Sequence, residues 1–342
     1  MAMSSAAPNN IPCVEWGRRL ADAVRVALAA GDFAEARRLA IEGDGQARDL
    51  AREYMYMFRG LGVTVRVLLG QLATGPTIAS RAHSARIADQ FAVELARLAD
   101  AHLGEAPAVS ADCTTPFEAG TRTSEEIERR FESAQVRAAE AVVAAIDAGD
   151  APHALALLEI RESGQYIPLH DRLVRFMADS FAWALEHQGS VGLERFHLTS
   201  VEAMRRGFDK WETMPVHEFA WTTAFLLKQH MGEVTVTENT ERYTFEQRLC
   251  GSGGRLRIGG AYEGSNALPF VETPGPLTFG EPRMPVYCSH CPMWNGVAPL
   301  RWYGHPHWVF EQPARPDGGC TMHLYKNMDA APAEYVLTLS RA

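Results

Sequence analysis

Apolar and polar positions along this chain follow two different periods, and the change comes near residue 215. Up to that point apolar residues recur at helical spacing, as in Leu20, Val24, Ala27 and Leu28 and again in Val142, Val143 and Ile146. That spacing lays one apolar stripe along each of a succession of helices rich in Ala, Leu, Arg and Glu. Helix starts are marked as well: Asp32 followed by Glu35, and Thr123 followed by Glu126, both have the spacing of a capping box. One further helix is expected over 216–231, with Phe219, Thr223, Leu226 and Leu227 on one face. The period then drops to two. Residues 233–237 and 242–250 alternate, so that Tyr243, Phe245 and Leu249 face one way and Thr244, Glu246 and Arg248 the other. Glu238-Asn239-Thr240-Glu241 supplies a hairpin turn between them. Short strands are expected at 284–287, 308–312, 321–325 and 335–340, divided by loops rich in Gly and Pro. The fold class is therefore α+β: an all-helical N-terminal region followed by a small antiparallel-sheet C-terminal domain.

The helical region carries an internal echo. Ala30-Gly31-Asp32 recurs as Ala148-Gly149-Asp150, with Ala36 and Leu39 matched by Ala154 and Leu157. Gly45-Gln46 is echoed by Gly164-Gln165, and Arg81-Ala82-His83 by Arg195-Phe196-His197. This predicts a duplicated helical unit of about 90 residues, although Ala-rich helices also resemble each other by composition alone. The segment 104–120 has Pro, Gly and small polar residues and no apolar stripe, so it reads as a linker. The expected organisation is one helical unit over 1–104, a linker over 105–122, a second unit over 123–215 and an α+β domain over 216–342.

Composition narrows the functional classes. The 342 residues carry a net charge of −9 with no long basic run, so no nucleic-acid partner is expected. The most apolar stretch, Leu61 to Leu72, is broken by Arg66 and is short for a bilayer, and no membrane partner is expected either. The start lacks a basic segment followed by an apolar one, which points to a cytoplasmic protein with reduced thiols. A duplicated helical half would bury its stripes against a copy, and a homo-oligomer built through that half is expected.

Candidate chemistry concentrates between residues 288 and 323, where three of the six cysteines and four of the twelve histidines fall. Cys288 and Cys291 form one C-x2-C pair, and Cys320 and His323 form a C-x2-H pair after a gap of 28 residues. Together they supply a Cys3His set suited to zinc, with iron as the second choice. The plain alternative is that the cysteines are small buried residues and His323 a satisfied sheet residue. His305 and His307 flank Pro306, which keeps the backbone extended and puts both rings on one side. They are candidates for proton transfer or for a catalytic metal; equally, they are ordinary aromatic filler. A thiolate at Cys291 or Cys288, activated by a neighbouring histidine, is a candidate nucleophile, since metal thiolates and nucleophilic thiolates share the same residue type. Trp302, Tyr303 and Trp308, with Trp294, would form the wall of a pocket for a small planar molecule, and Arg301 would clamp a carboxylate.

The stretch His290-Cys291-Pro292, then Tyr303-Gly304-His305-Pro306, then Cys320-Thr321-Met322-His323-Leu324-Tyr325-Lys326 resembles the end of proteins related to L-2-amino-thiazoline-4-carboxylic acid hydrolase. The resemblance covers about the last third of the chain. It implies cleavage of a C–N bond in a small, cyclic, amidine-like substrate, and it offers nothing for the helical part.

Other features carry less. Gly251-Ser252-Gly253-Gly254 is followed by no Gly-Lys-Ser/Thr and is expected to be a flexible loop rather than a phosphate cradle. His83 and His197, one per helical unit, are expected to be packing residues. Two functional classes therefore stand: a small-molecule hydrolase working through the Cys/His centre, or a non-enzymatic, zinc-stabilised ligand-binding or sensor protein whose helices bind a partner.

Overall fold

The computed structural model describes residues 11–42, 116–313 and 318–341, with isolated positions between 62 and 93. The chain divides into two compact units, one formed by residues 19–173 and the other by 1–18 with 174–342. The division falls inside a helical stretch, so the change of period near 215 is a change of element within one unit.

In the unit of residues 19–173, helix α1 (Leu20–Ala29) is followed by a helix over 33–42, α2. Helix α3 (Pro116–Asp147) is followed by α4 (Ala151–Arg161). The two Ala-Gly-Asp echoes are the same turn built twice. Gly31 and Gly149 adopt φ of 74° and 72°, a left-handed conformation that favours glycine at a helix end. Asp32 then accepts from Glu35 N at 2.9 Å, and Asp150 from His153 N at 3.0 Å, so each aspartate starts the next helix. Ala36 and Ala154 are both fully buried, in one apolar cluster with Val24, Leu28, Val142 and Ile146. Local geometry thus repeats where the sequence repeats. The echoes at 45–46 and at 81 and 83 lie outside the described residues.

Two expectations fail in this unit. Residues 116–122 of the expected linker are helical, and Thr123 lies well inside α3, so it cannot cap a helix start.

Residues Ile167–Glu202 (α5) are helical apart from a break at Gly189, whose φ of 69° and ψ of −174° lie outside helical space. Helices α6 (Arg205–Glu212) and α7 (Val216–Gln229) follow. The sheet order is β1-β2-β6-β5, all antiparallel, from Glu233–Glu238, Arg242–Leu249, Thr321–Tyr325 and Val309–Glu311. Asn239 Oδ1 accepts from the backbone N–H of Glu241 and of Arg242, closing the expected hairpin. One sheet face, carrying Val234, Val236, Tyr243, Phe245, Phe310, Met322 and Leu324, packs on Phe219, Ala220 and Ala224 of α7 and on Trp16. Burying each large apolar side chain of this kind contributes roughly 1.5–3 kcal/mol.

The sheet is smaller than expected. Residues Ala333–Leu339 form a helix, although 335–340 alternates like a strand; Pro332 caps its start and Leu339 is its buried residue. Only Met284–Pro285 (β4) of 284–287 is extended, pairing with Phe270–Val271 (β3). Gly253–Ile258 is a short helix, and the glycines before it are tightly packed: a Cβ on Gly251 would lie 1.8 Å from His230 O. That is a close-packed corner rather than a flexible loop.

Among the described residues no helix is long and apolar enough to cross a membrane.

Candidate functional site

The His305-Pro306-His307 segment is placed by an irregularity with a clear cause. Residues 293–297 form one wide π turn, followed by the helix Ala298–Tyr303. In a regular helix the carbonyl of Asn295 would accept from residue 299, but Pro299 has no N–H. The free carbonyl instead accepts from the backbone N–H of His307 at 3.1 Å. Gly304, at φ of 90°, reverses the chain between the helix and the two histidines.

Both imidazoles meet one carboxylate. Glu212, the last residue of α6, accepts from His307 Nε2 at 3.1 Å with one oxygen and faces His305 Nε2 at 3.3 Å with the other. With Nε2–H directed at the carboxylate, each ring presents a lone pair at Nδ1. Both Nδ1 atoms are buried and without a hydrogen-bond partner. The His307 ring is stacked by Tyr303 at 5.4 Å between centroids and by Phe208 at 5.8 Å, while Phe219 meets it edge-on. Burial lowers the pKa of His307 to about 4 against the pull of Glu212, so the ring is neutral at pH 7. The group opens to solvent at the carboxylate: the Glu212 side chain is 29% exposed, that of His305 12% and that of His307 0%.

Neighbouring side chains make a polar rim. Tyr303 donates through its hydroxyl to Asp209 at 2.7 Å, and Trp302 donates through Nε1 to Glu202 at 3.1 Å. The Arg205 guanidinium lies over the Trp302 ring at 5.2 Å. Arg301 is exposed and its charge acts on Glu194, so the cation nearest the Trp302 ring face is Arg205 rather than Arg301. Trp308 is not a wall: it is 2% exposed, in the sheet core, and its Nε1 donates to Thr223 Oγ1 at 3.3 Å.

The expected Cys3His set does not come together. His323 Nδ1 meets the Thr244 hydroxyl at 3.0 Å, and its Nε2 meets Glu311 at 2.9 Å, so both ring nitrogens are satisfied. Strand alternation explains this. Residues three apart in an extended segment face opposite sides, and Cys320 packs with the core face that Met322 and Leu324 share. Cys291 Sγ lies 3.5 Å from His290 Nε2, whose Nδ1–H donates to the Tyr287 carbonyl at 2.5 Å. That is a thiol–imidazole pair, yet burial and the neighbouring thiols push the Cys291 pKa well up, which disfavours a free thiolate nucleophile. Among the described residues no three His, Cys, Asp or Glu side chains already surround a point at metal-ligand distance.

A second polar group lies under this helical turn. His197, fully buried, donates through Nε2 to Ser289 Oγ at 2.8 Å, because that hydroxyl donates onward to the Val286 carbonyl at 2.6 Å. Trp294 packs into the same cluster as Trp302 and Tyr303 and also meets His290 and His197 edge-on.

His305, His307 and Tyr303 were candidates in the sequence; Glu212, which the fold brings against both histidines, and Asp209 and Arg205 beside them were not. A carboxylate at the end of a polar helix has no local signature, and nothing in the order of residues brings 212 to 305. No protein-family model, curated protein or solved structure matches this chain significantly.

Proposed function

We propose that the protein is a small-molecule hydrolase acting on a C–N bond of a planar, nitrogen-containing substrate, with Glu212, His305 and His307 as its acid–base centre. One observation carries the reading: a single carboxylate orients two imidazoles, and each keeps a buried, unpartnered Nδ1. Buried polar atoms in folded proteins almost always have partners, so two orphaned bases side by side point to a ligand or to water as their partner. A carboxylate on one ring nitrogen, with the other free to take a proton, is the arrangement general bases use.

In this reading one Nδ1 removes a proton from water as the water oxygen bonds to the electrophilic carbon. The imidazolium, stabilised by Glu212 at Nε2, then returns that proton to the leaving nitrogen as the C–N bond breaks. Trp302 suits a planar group, and Arg205, which pairs with Glu202 at 3.5 Å and Asp209 at 3.6 Å, would exchange one of these for a substrate carboxylate. The resemblance to L-2-amino-thiazoline-4-carboxylic acid hydrolases supports this class of substrate and covers His305 itself. Zinc, if held by the cysteines, then has a structural part and leaves both histidines free.

The test is incubation of the full chain with 2-amino-thiazoline-4-carboxylate and related cyclic amidines, with product mass read directly. A product heavier by one water, lost in Glu212→Gln and in at least one of His305→Gln and His307→Gln, is expected. Saturable binding without turnover would replace this reading by the non-enzymatic sensor.

A further inference from the structure

Cys250 was not among the expected ligands, yet it stands with three that were. It directly follows β2 and shares the Gly253-Gly254 pair with Cys288: a Cβ at 254 would touch Cys250 and one at 253 would touch Cys288. Cys250, Cys288 and Cys320 are also the thiols whose proximity helps hold the Cys291 pKa up. We infer that Cys250, Cys288, Cys291 and Cys320 form a four-thiolate site for zinc, and that His323 has no part in it.

Packing around the sulfurs supports the set. Gly253 and Gly254 let two segments approach: a Cβ at 253 would sit 2.8 Å from Cys288 Sγ, and one at 254 would sit 3.1 Å from Cys250 Cβ. Gly319 does the same for the third segment, where a Cβ would sit 2.2 Å from Gln247 O. Arg257 ties two of the segments together, with Nη1 on Cys288 Sγ at 3.6 Å and Nη2 on the Gly318 carbonyl at 2.5 Å. Gln247 holds the third through the Cys320 carbonyl, by its backbone N–H at 3.4 Å and its side chain at 3.3 Å. Cys288 and Cys291 are three apart on a helical turn and so share one side of it. None of these cysteines is in a disulfide.

Ligand chemistry selects the ion. Four thiolates are a closed, tetrahedral, soft donor set, the usual structural zinc site, with Zn–S near 2.3 Å. The sulfurs do not yet surround one point, but turning a cysteine between staggered rotamers moves its sulfur by about 3 Å. Zinc with four thiolates carries a net charge of about −2, and the Arg257 guanidinium against Cys288 offsets part of it. The site is structural by this argument: all four positions are filled by protein, and no place is left for a reacting water.

The experiment uses the full chain purified without added metal. Zinc is measured per chain, and cysteine alkylation is mapped by mass spectrometry with zinc bound and after chelation. About one equivalent of zinc is expected, with Cys250, Cys288, Cys291 and Cys320 protected together and exposed together. His323→Gln should keep the metal, and Cys250→Ser should weaken zinc binding by at least about tenfold. Absence of zinc affinity, or alkylation of Cys250 at one rate with and without zinc, overturns the site. Loss of zinc in His323→Gln with Cys250 unprotected would restore the Cys3His set. Because the mapping uses the unaltered chain, its answer stands even if Cys250→Ser fails to fold, and it is independent of any hydrolase activity.

Discussion

At the scale of single residues, the chain places neutral histidines where charge would be costly. His307 has its pKa lowered to about 4 by burial, and faces Glu212 and His305. His197, held lowered by burial and by the nearby His290, lies well below its ordinary value. An unfolded histidine titrates near 6.5. Between pH 6.5 and about 4 the unfolded chain therefore binds protons that the native state refuses, and stability must fall as pH falls. The contribution is complete above pH 6.5 and is lost towards pH 4, a few kcal/mol for His307 alone. Urea midpoints across this range should decline steeply in the native chain and less in His307→Gln. For catalysis, Glu212→Gln should lower turnover by about a hundredfold or more while leaving the thermal midpoint nearly unchanged, because the amide still fills the space but cannot stabilise an imidazolium. His305 and His307 stood out in the sequence as a candidate pair, with Tyr303 beside them. Their partner Glu212 did not, because contacts across 95 residues leave no trace in local spacing.

At the scale of elements, period and punctuation predicted much, and failed where packing overrides pattern. The strands 233–238, 242–249, 309–311 and 321–325 and the helix 216–229 follow their periodicity closely. The segment 335–340 reads as alternating, yet Pro332 and the burial of Leu339 draw it into a helix. The pairing of Cys320 with His323 ignored the same alternation that correctly oriented Tyr243 and Phe245. Glycine positions make the sharpest element-level test. Gly149→Ala puts a Cβ on a left-handed residue and should cost about 1 kcal/mol, and Asp150→Ala, which removes a helix start, about the same. If the Ala-Gly-Asp turns are true repeats, Gly31→Ala and Asp32→Ala should match these losses to within a few tenths in chemical denaturation.

At the scale of the whole molecule, the helical region and the α+β region were both legible, but the dividing line was not. Residues 11–18 belong with the sheet: Trp16 is 1% exposed, stacks near Tyr243 at 5.9 Å and meets Trp221 edge-on. A tryptophan more than 200 positions from its partners carries no signal of that in sequence. Trp16→Ala should cost about 3–5 kcal/mol, and a fragment beginning near 212 should be less stable than the full chain for the same reason, seen as a lower urea midpoint. Function rests on whether Glu212, His305 and His307 move protons. Turnover of a cyclic amidine by the native chain, by His305→Gln and by His307→Gln, with zinc content and thermal midpoint recorded on the same samples, decides this. The expected result is hydrolysis by the native chain and loss of about a hundredfold or more in at least one variant, with metal and midpoint held. Full activity in both variants would overturn it.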